Sequence, residues 1–248
     1  MQKSKERHPF LSYTGVLFLL IAFLLVGGLM VALASATFES REAMGGPEGL
    51  TVILDAGHGG EDGGAVGVNG ALEKELNLAI AKKIGILLEE QGVRVIYTRT
   101  EDTLLYGAAG DIPGHRKEYD LKNRLAVAEK NPGALFVSIH MNSFSVPKYS
   151  GLQVYYAETE GSRSLANAIQ EKVCQTIQKE NTRKTKAAGS HIYLLEHAVG
   201  RAVLVECGFL SNPEEAARLT REDYQGELSF SIFCGIMEYI NSEEKKTT

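Results

Sequence analysis

The chain has 248 residues, 44% of them apolar and 23% charged, a balance that supports one folded domain with a sizeable core and excludes a disordered chain. Its formal net charge of -5 lacks the basic surplus that nucleic-acid binding ordinarily shows. Three widely spaced cysteines, Cys174, Cys207 and Cys234, make neither a dense disulfide framework nor a CxxC motif. They are expected as small buried apolar residues, with a pairing of two of them left open.

At the N-terminus a basic head, "MQKSKERH", precedes an unbroken run of apolar residues and glycine from Val16 to Ala34. The run is long enough to span a bilayer, while Ala34-Ser35-Ala36 suits a small-residue cleavage site. Residues 1–36 therefore read as an export signal, either a cleaved signal peptide or an uncleaved anchor holding the protein to the membrane. In both cases the basic head keeps that end cytoplasmic and the main domain lies outside. Residues 37–50 form a polar linker.

Strand-like and helix-like segments then alternate. "TVILD" at 51–55, "VRVIYT" at 93–98, "ALFVSIH" at 134–140 and "AVLVE" at 202–206 are short, apolar and β-branched, as strands covered on both faces are. "LQVYY" at 152–156 and "IYLL" at 192–195 are further strand candidates. Among the helices, Asn77 is expected to cap one whose Ala81, Ile84 and Leu88 share a face and which Gly92 closes. Leu165, Ile169, Val173 and Ile177 mark a second, and Leu228, Ile232, Ile236 and Ile240 a third. "SNPEE" at 211–215 offers Asn212 as cap and Pro213 at the first helical position. The pattern predicts an α/β fold: a three-layer αβα sandwich with a mainly parallel sheet of about six strands, one domain over residues 51–241 and a disordered tail at 242–248.

Ligands of open α/β sheets bind beyond the carboxyl ends of the strands, which makes those ends informative. "TVILD" leads into His58, "ALFVSI" into His140 and "AVLV" into Glu206, while Glu73 and Glu75 lie in the connection after the first strand. A histidine at one strand end is by itself more often structural than functional, and acids in "LEKELN" also suit a helix start. Glu206 is harder to dismiss, because a carboxylate following such a strand is partly buried and asks for a positive partner. Two histidines and a carboxylate are a donor set for catalytic zinc, with a fourth position left for water and a further carboxylate able to take a proton. No HExxH signature is present.

Two other readings are weaker. A G-x-G-x-x-G phosphate loop beginning at Gly57 would need glycine where Asp62 stands, and no Walker motif occurs. A cysteine peptidase built on Cys207 would place its thiol on the opposite strand face from Glu206.

Four stretches, "ILDAGHGGEDGGAVG", "LEKELNLAIA", "LFVSIHMNS" and "VLVECGFLSNPEEA", closely resemble the zinc-dependent N-acetylmuramoyl-L-alanine amidases of bacterial cell-wall turnover, in family order and over about Leu50 to Ile240. The resemblance implies a Zn2+ ion bound by His58, Glu73 and His140, with Glu206 as catalytic base, and it is the family pattern that selects Glu73 over Glu75. It implies peptidoglycan as substrate. Only Ser143 to Ser150 separate the third motif from the next strand candidate, too few for the autoinhibitory insertion of some members. The chain most resembles the CwlD-type, spore-cortex branch, which prepares muramic-δ-lactam. That branch implies an extracytoplasmic location, between the forespore membranes. The missing insertion motivates the expectation of an activating partner protein, a lipoprotein or another sporulation protein. A non-catalytic wall-binding module on the same fold is the alternative. "LLYGAAGDIPGH" at 104–115 is either a groove-lining loop exposing Leu104, Leu105 and Tyr106 or a loop folded onto the core. His115, His191 and His197 receive no metal role.

Overall fold

The computed structural model describes Gly28 and residues 50–247, so the predicted export segment at 1–36, Gly28 apart, and the linker up to residue 49 lie outside the described residues. Among the described residues no helix is long and apolar enough to cross a membrane.

The chain alternates as expected. β1 (Thr51–Ala56) is followed by α1 (Glu73–Glu90), β2 (Arg94–Tyr97), α2 (Arg116–Glu129), β3 (Leu135–Asn142) and β4 (Gln153–Tyr156). Then come α3 (Ser162–Thr176), β5 (Lys186–Ala187), α4 (Tyr193–Glu196), β6 (Ala202–Phe209), α5 (Pro213–Leu219) and α6 (Glu222–Thr247). The six strands form one sheet in the order β2-β1-β3-β6-β4-β5. β2, β1, β3 and β6 run parallel, whereas β4 is antiparallel to β6 and parallel to β5.

Because side chains alternate along a strand, each strand feeds two cores. Val52, Leu54, Val137, Ile139, Val203 and Val205 pack one face against Ile80, Ile84 and Leu88 of α1, Leu165, Ile169 and Val173 of α3 and Leu228, Ile232 and Ile236 of α6. Ile53, Phe136 and Leu204 pack the other against Leu121 and Leu125 of α2 and Leu194 and Leu195 of α4. Each fully buried leucine or isoleucine contributes about 1.5–3 kcal/mol. The continuous apolar runs read as two-sided strands are therefore that, and the three-layer αβα expectation holds.

Three local expectations change, and one open alternative is decided. Asn77 does not cap α1: the helix starts one turn earlier at Glu73, and Asn77 sits buried inside it, donating from Nδ2 to the Gly57 carbonyl at 3.1 Å. "IYLL" is not a strand but enters the single-turn α4, and the strand found in this part of the chain is β5 at Lys186–Ala187. The last residues continue α6 to Thr247 rather than leaving a disordered tail. Leu104 is buried, and Leu105 is tied to α2 through its N–H to Asp120 Oδ1 at 2.7 Å, so the 104–115 loop begins folded onto the core. Other signals hold: Gly92 has φ 77 just past α1, and the Asn212 side chain caps α5 by accepting the N–H groups of Glu214 and Glu215.

Candidate metal centre

The site begins where β1 ends. His58, two residues past the end of β1 at Ala56, adopts φ 61, the left-handed region that side chains rarely enter. Two buried arginines hold this turn. Arg124 of α2 donates to the carbonyls of Ala56 at 2.7 Å and His58 at 2.8 Å, and Arg99 donates to those of Ala56 at 2.8 Å and Gly57 at 3.0 Å. Asp55 anchors the system from within the sheet. Its carboxylate accepts Arg124 Nη1 at 2.7 Å, Thr98 Oγ1 at 2.7 Å and Ser138 Oγ at 2.5 Å. Burial opposes its charge, but Arg124 and the two hydroxyls outweigh burial and hold the carboxyl below its usual range.

Glycine gives the remaining groups room at two places. A Cβ on Gly57 would stand 2.2 Å from the ring atoms Cε1 and Nε2 of His140. One on Gly64, which has φ 66, would stand 2.5 Å from Glu73 Oε2 and 2.7 Å from His58 Cδ2. The glycine-rich loop thus lets backbone pass where side chains from three elements converge.

His58, Glu73 and His140 converge there, each with a donor atom within 4.8 Å of the others. Glu73 Oε1 lies 3.2 Å from His58 Nε2 and 2.9 Å from His140 Nδ1. The first residue of α1, Glu73 is also oriented by backbone: Oε1 accepts the Met141 N–H at 3.0 Å and Oε2 the Ala65 N–H at 2.7 Å. Burial works against its ionisation, yet the hydrogen bonds and charges of His140 and His58 depress its pKa strongly. His58 is correspondingly raised: desolvation lowers it, and Glu73 and Asp62 more than compensate. Asp62 Oδ2 lies 2.9 Å from His58 Nδ1, close enough for an ion pair, while Nδ1 itself has no well-aligned hydrogen bond. Glu75, two residues further along α1, is exposed.

Two imidazoles facing one buried carboxylate suit a borderline metal such as zinc better than magnesium or calcium, which prefer all-oxygen sites. A carboxylate beside the outer nitrogen of a ligating histidine is the usual orienting arrangement, and Asp62 stands in that place. The histidine side chains remain 17% and 18% exposed, which leaves the group open to a substrate on one side. The residues present fit the ion.

Glu206 stands on β6 directly opposite His140 on β3. Beyond that pair the register shifts, as strands often do beside sites. Glu206 Oε2 is buried without a hydrogen-bond partner. Desolvation raises its pKa to about 7, with Glu73 adding to the rise and His140 and His58 opposing it. Cys207, the next residue, is fully buried in the opposite core, and burial pushes its thiol well above the usual range. That disposes of a thiolate nucleophile, and all three cysteines are free. His115, His191 and His197 are exposed and take no part.

The sequence reading missed Asp55, Asp62, Arg99 and Arg124. Asp55 carried a signal: an acid closing an apolar strand needs a positive partner as much as Glu206 does. The arginines carried none, because their reach to the turn depends on packing.

An α/β sheet with two histidines and a glutamate gathered at its carboxyl edge, and a carboxylate alongside whose buried oxygen has no hydrogen-bond partner among the described residues, carries the donor set that metal-dependent hydrolases use. The N-acetylmuramoyl-L-alanine amidase family model (Amidase_3) matches residues 52–238, and the chain belongs to that family. It is a peptidoglycan amidase. It is 37% identical over 196 residues to the germination-specific N-acetylmuramoyl-L-alanine amidase of Bacillus subtilis, covering 79% of this chain and 81% of the relative. Among solved structures it resembles the CwlD amidase of Clostridioides difficile in complex with the GerS lipoprotein, with TM-score 0.74 and 39% identity over 77% of this chain and 98% of that one. It also resembles the amidase AmiC2 of Nostoc punctiforme, with TM-score 0.68 and 32% identity over 79% and 99% of the two chains.

Proposed function

We propose that this chain is a zinc-dependent amidase that hydrolyses the bond between N-acetylmuramic acid and the L-alanine of the stem peptide, with His58, Glu73 and His140 as metal ligands and Glu206 as the catalytic base. The observation that carries it is the convergence of three donor atoms within 4.8 Å, beside a carboxylate whose buried Oε2 has no hydrogen-bond partner among the described residues. Held by His58, Glu73 and His140, the ion would supply Lewis-acid polarisation of the lactyl carbonyl and would acidify water. Glu206 takes the proton of the attacking water and returns it to the departing alanine nitrogen, a task suited to a carboxyl poised at about 7. His58 and His140 hold one edge of the site while Glu73, fixed by two backbone N–H groups, holds the other. The experiment is a pair of variants. Glu206→Gln retains stoichiometric zinc and loses turnover of purified peptidoglycan, whereas His58→Ala loses both. Turnover in Glu206→Gln at the wild-type rate overturns the assignment.

The relatives support a setting. We assign the chain to spore-cortex maturation, where stem-peptide removal precedes muramic-δ-lactam formation, and to the extracytoplasmic side, with residues 1–36 as export signal or anchor, 37–50 as linker and 51–241 as catalytic domain. An activating lipoprotein partner is supported by the C. difficile structural neighbour, which is in complex with one. Loss of the lactam from cortex muropeptides in spores lacking this chain is the expected result. Unchanged lactam content overturns the cortex role.

A further inference from the structure

The catalytic edge continues sideways past Glu206. Because β4 is antiparallel to β6, its first residue, Gln153, stands directly opposite Glu206. His140, Glu206 and Gln153 therefore form a row on one face of three neighbouring strands. The row extends one side chain further, since Gln153 Oε1 accepts a hydrogen bond from Arg183 Nη1 at 3.0 Å. Arg183 is also held by its Nε, which donates to the Ser150 carbonyl at 2.9 Å, and by the ring of Phe209, whose centroid lies 4.5 Å from its Cζ. These contacts are all neutral. Among the described residues Nη2 has no hydrogen-bond partner and the guanidinium no carboxylate at ion-pair distance.

The guanidinium borders a polar cavity of about 400 Å³ whose other cationic walls are Lys148, Lys179 and Arg218. Two acids also line it: Glu180, which is exposed, and the buried Glu215, which lies within the field of Arg218 and Arg183 and accepts the N–H groups of Gly151 at 2.8 Å and Phe209 at 2.7 Å.

We propose that Arg183 heads a subsite for the carboxylates of the departing stem peptide, with the cavity receiving the acidic residues further along. This rests on Glu206 as the proton carrier. Glu206 must reach the leaving nitrogen, so the peptide departs on its side of the His58, Glu73 and His140 group, and that is where Arg183 stands. Strands about 4.8 Å apart, plus one side-chain contact, set the guanidinium on the order of 10 Å from Glu206. That distance is the reach of about two to three extended residues. A stem peptide whose second residue is glutamate presents a free carboxylate within this span, and a half-buried arginine forms charge-assisted hydrogen bonds with it that an amide cannot match.

The test compares two N-acetylmuramoyl tripeptides that differ only in whether the second residue carries a free carboxylate or its amide. In the zinc-loaded wild type, kcat/KM for the carboxylate form exceeds that for the amide about tenfold, through KM. Arg183→Gln, which keeps a donor for the Ser150 carbonyl but no charge, brings that ratio close to one, and Arg183→Lys retains most of it. Calorimetric binding of the two free tripeptides shows the same ratios without any turnover. Equal affinity of the wild type for both forms, or an Arg183→Gln effect of the same factor on both, overturns the subsite. Failure of the wild type to hydrolyse either substrate would count against the activity assignment instead, and the binding ratios would still decide the role of Arg183.

Discussion

Arg124 reaches from α2 to the carbonyl of His58 at 2.8 Å, so the one non-glycine residue with positive φ among the described residues is clamped by a buried guanidinium. The same guanidinium neutralises Asp55 inside the sheet. Clamp and charge balance are thus one structure, and the left-handed turn persists because its surroundings determine it.

Arg124→Met leaves Asp55 buried without its countercharge, and the expected cost is about 3–5 kcal/mol in denaturant unfolding. The pH dependence follows the depressed pKa of Asp55. A lowered folded pKa contributes stability that is present above the ordinary value of 3.8 and is lost as pH falls through the folded one. Wild-type stability should therefore drop on acidification below pH 4, and Asp55→Asn should show a smaller drop. Identical acid titrations of the two proteins would contradict this account.

Asp62→Asn tests the orienting carboxylate. Losing the charge 2.9 Å from His58 Nδ1 should weaken zinc binding about 10–100-fold while the ligands stay in place. Competition against a chromophoric chelator reads the affinity directly, and near-ultraviolet dichroism checks that the fold is kept.

Gly57→Ala inserts a methyl group into the space of the His140 ring. Overpacking of this kind costs about 1–3 kcal/mol, which a domain of this size survives. The displaced ring should lower zinc occupancy with the far-ultraviolet spectrum unchanged. Full occupancy would show that the ring has another place to go.

For Glu206, kcat/KM should rise with pH as the carboxyl ionises, and this limb should vanish in Glu206→Gln, whose rate falls about 10²–10⁴-fold. A bound cation draws the limb below the metal-free value of about 7. In chelated protein the sign for stability is the reverse. A raised carboxyl pKa contributes stability below its ordinary value of 4.5 that is lost as pH rises through about 7. Glu206→Gln should accordingly gain on the wild type between pH 5 and pH 8, by up to about 3 kcal/mol.

Much of the site was legible because strand ends are legible. Apolar runs long enough to be covered on both faces located β1, β3 and β6, and the residues closing or following them, His58, His140 and Glu206, had to share an edge of a parallel sheet. Glu73 and Glu75 were not separable in this way. They sit two residues apart in α1, about 200° around the helix, and only the docking of α1 on the sheet buries one and exposes the other. The antiparallel direction of β4 was equally hidden, since the composition of a short strand does not reveal which way it runs, yet it is what brings Gln153 opposite Glu206.

The sequence by itself determined the layers, the sheet edge that carries chemistry and the residue types assembled there, because hydrophobic period and strand ends are local properties of the chain. Tertiary structure alone decided that Arg99 and Arg124 clamp the His58 turn, that Gly57 and Gly64 clear the space for His140 and Glu73, and that Arg183 continues the row beyond Glu206. All but the Gly64–Glu73 contact join residues tens of positions apart, and all depend on side chains whose direction is set by packing, which is a property of the whole fold.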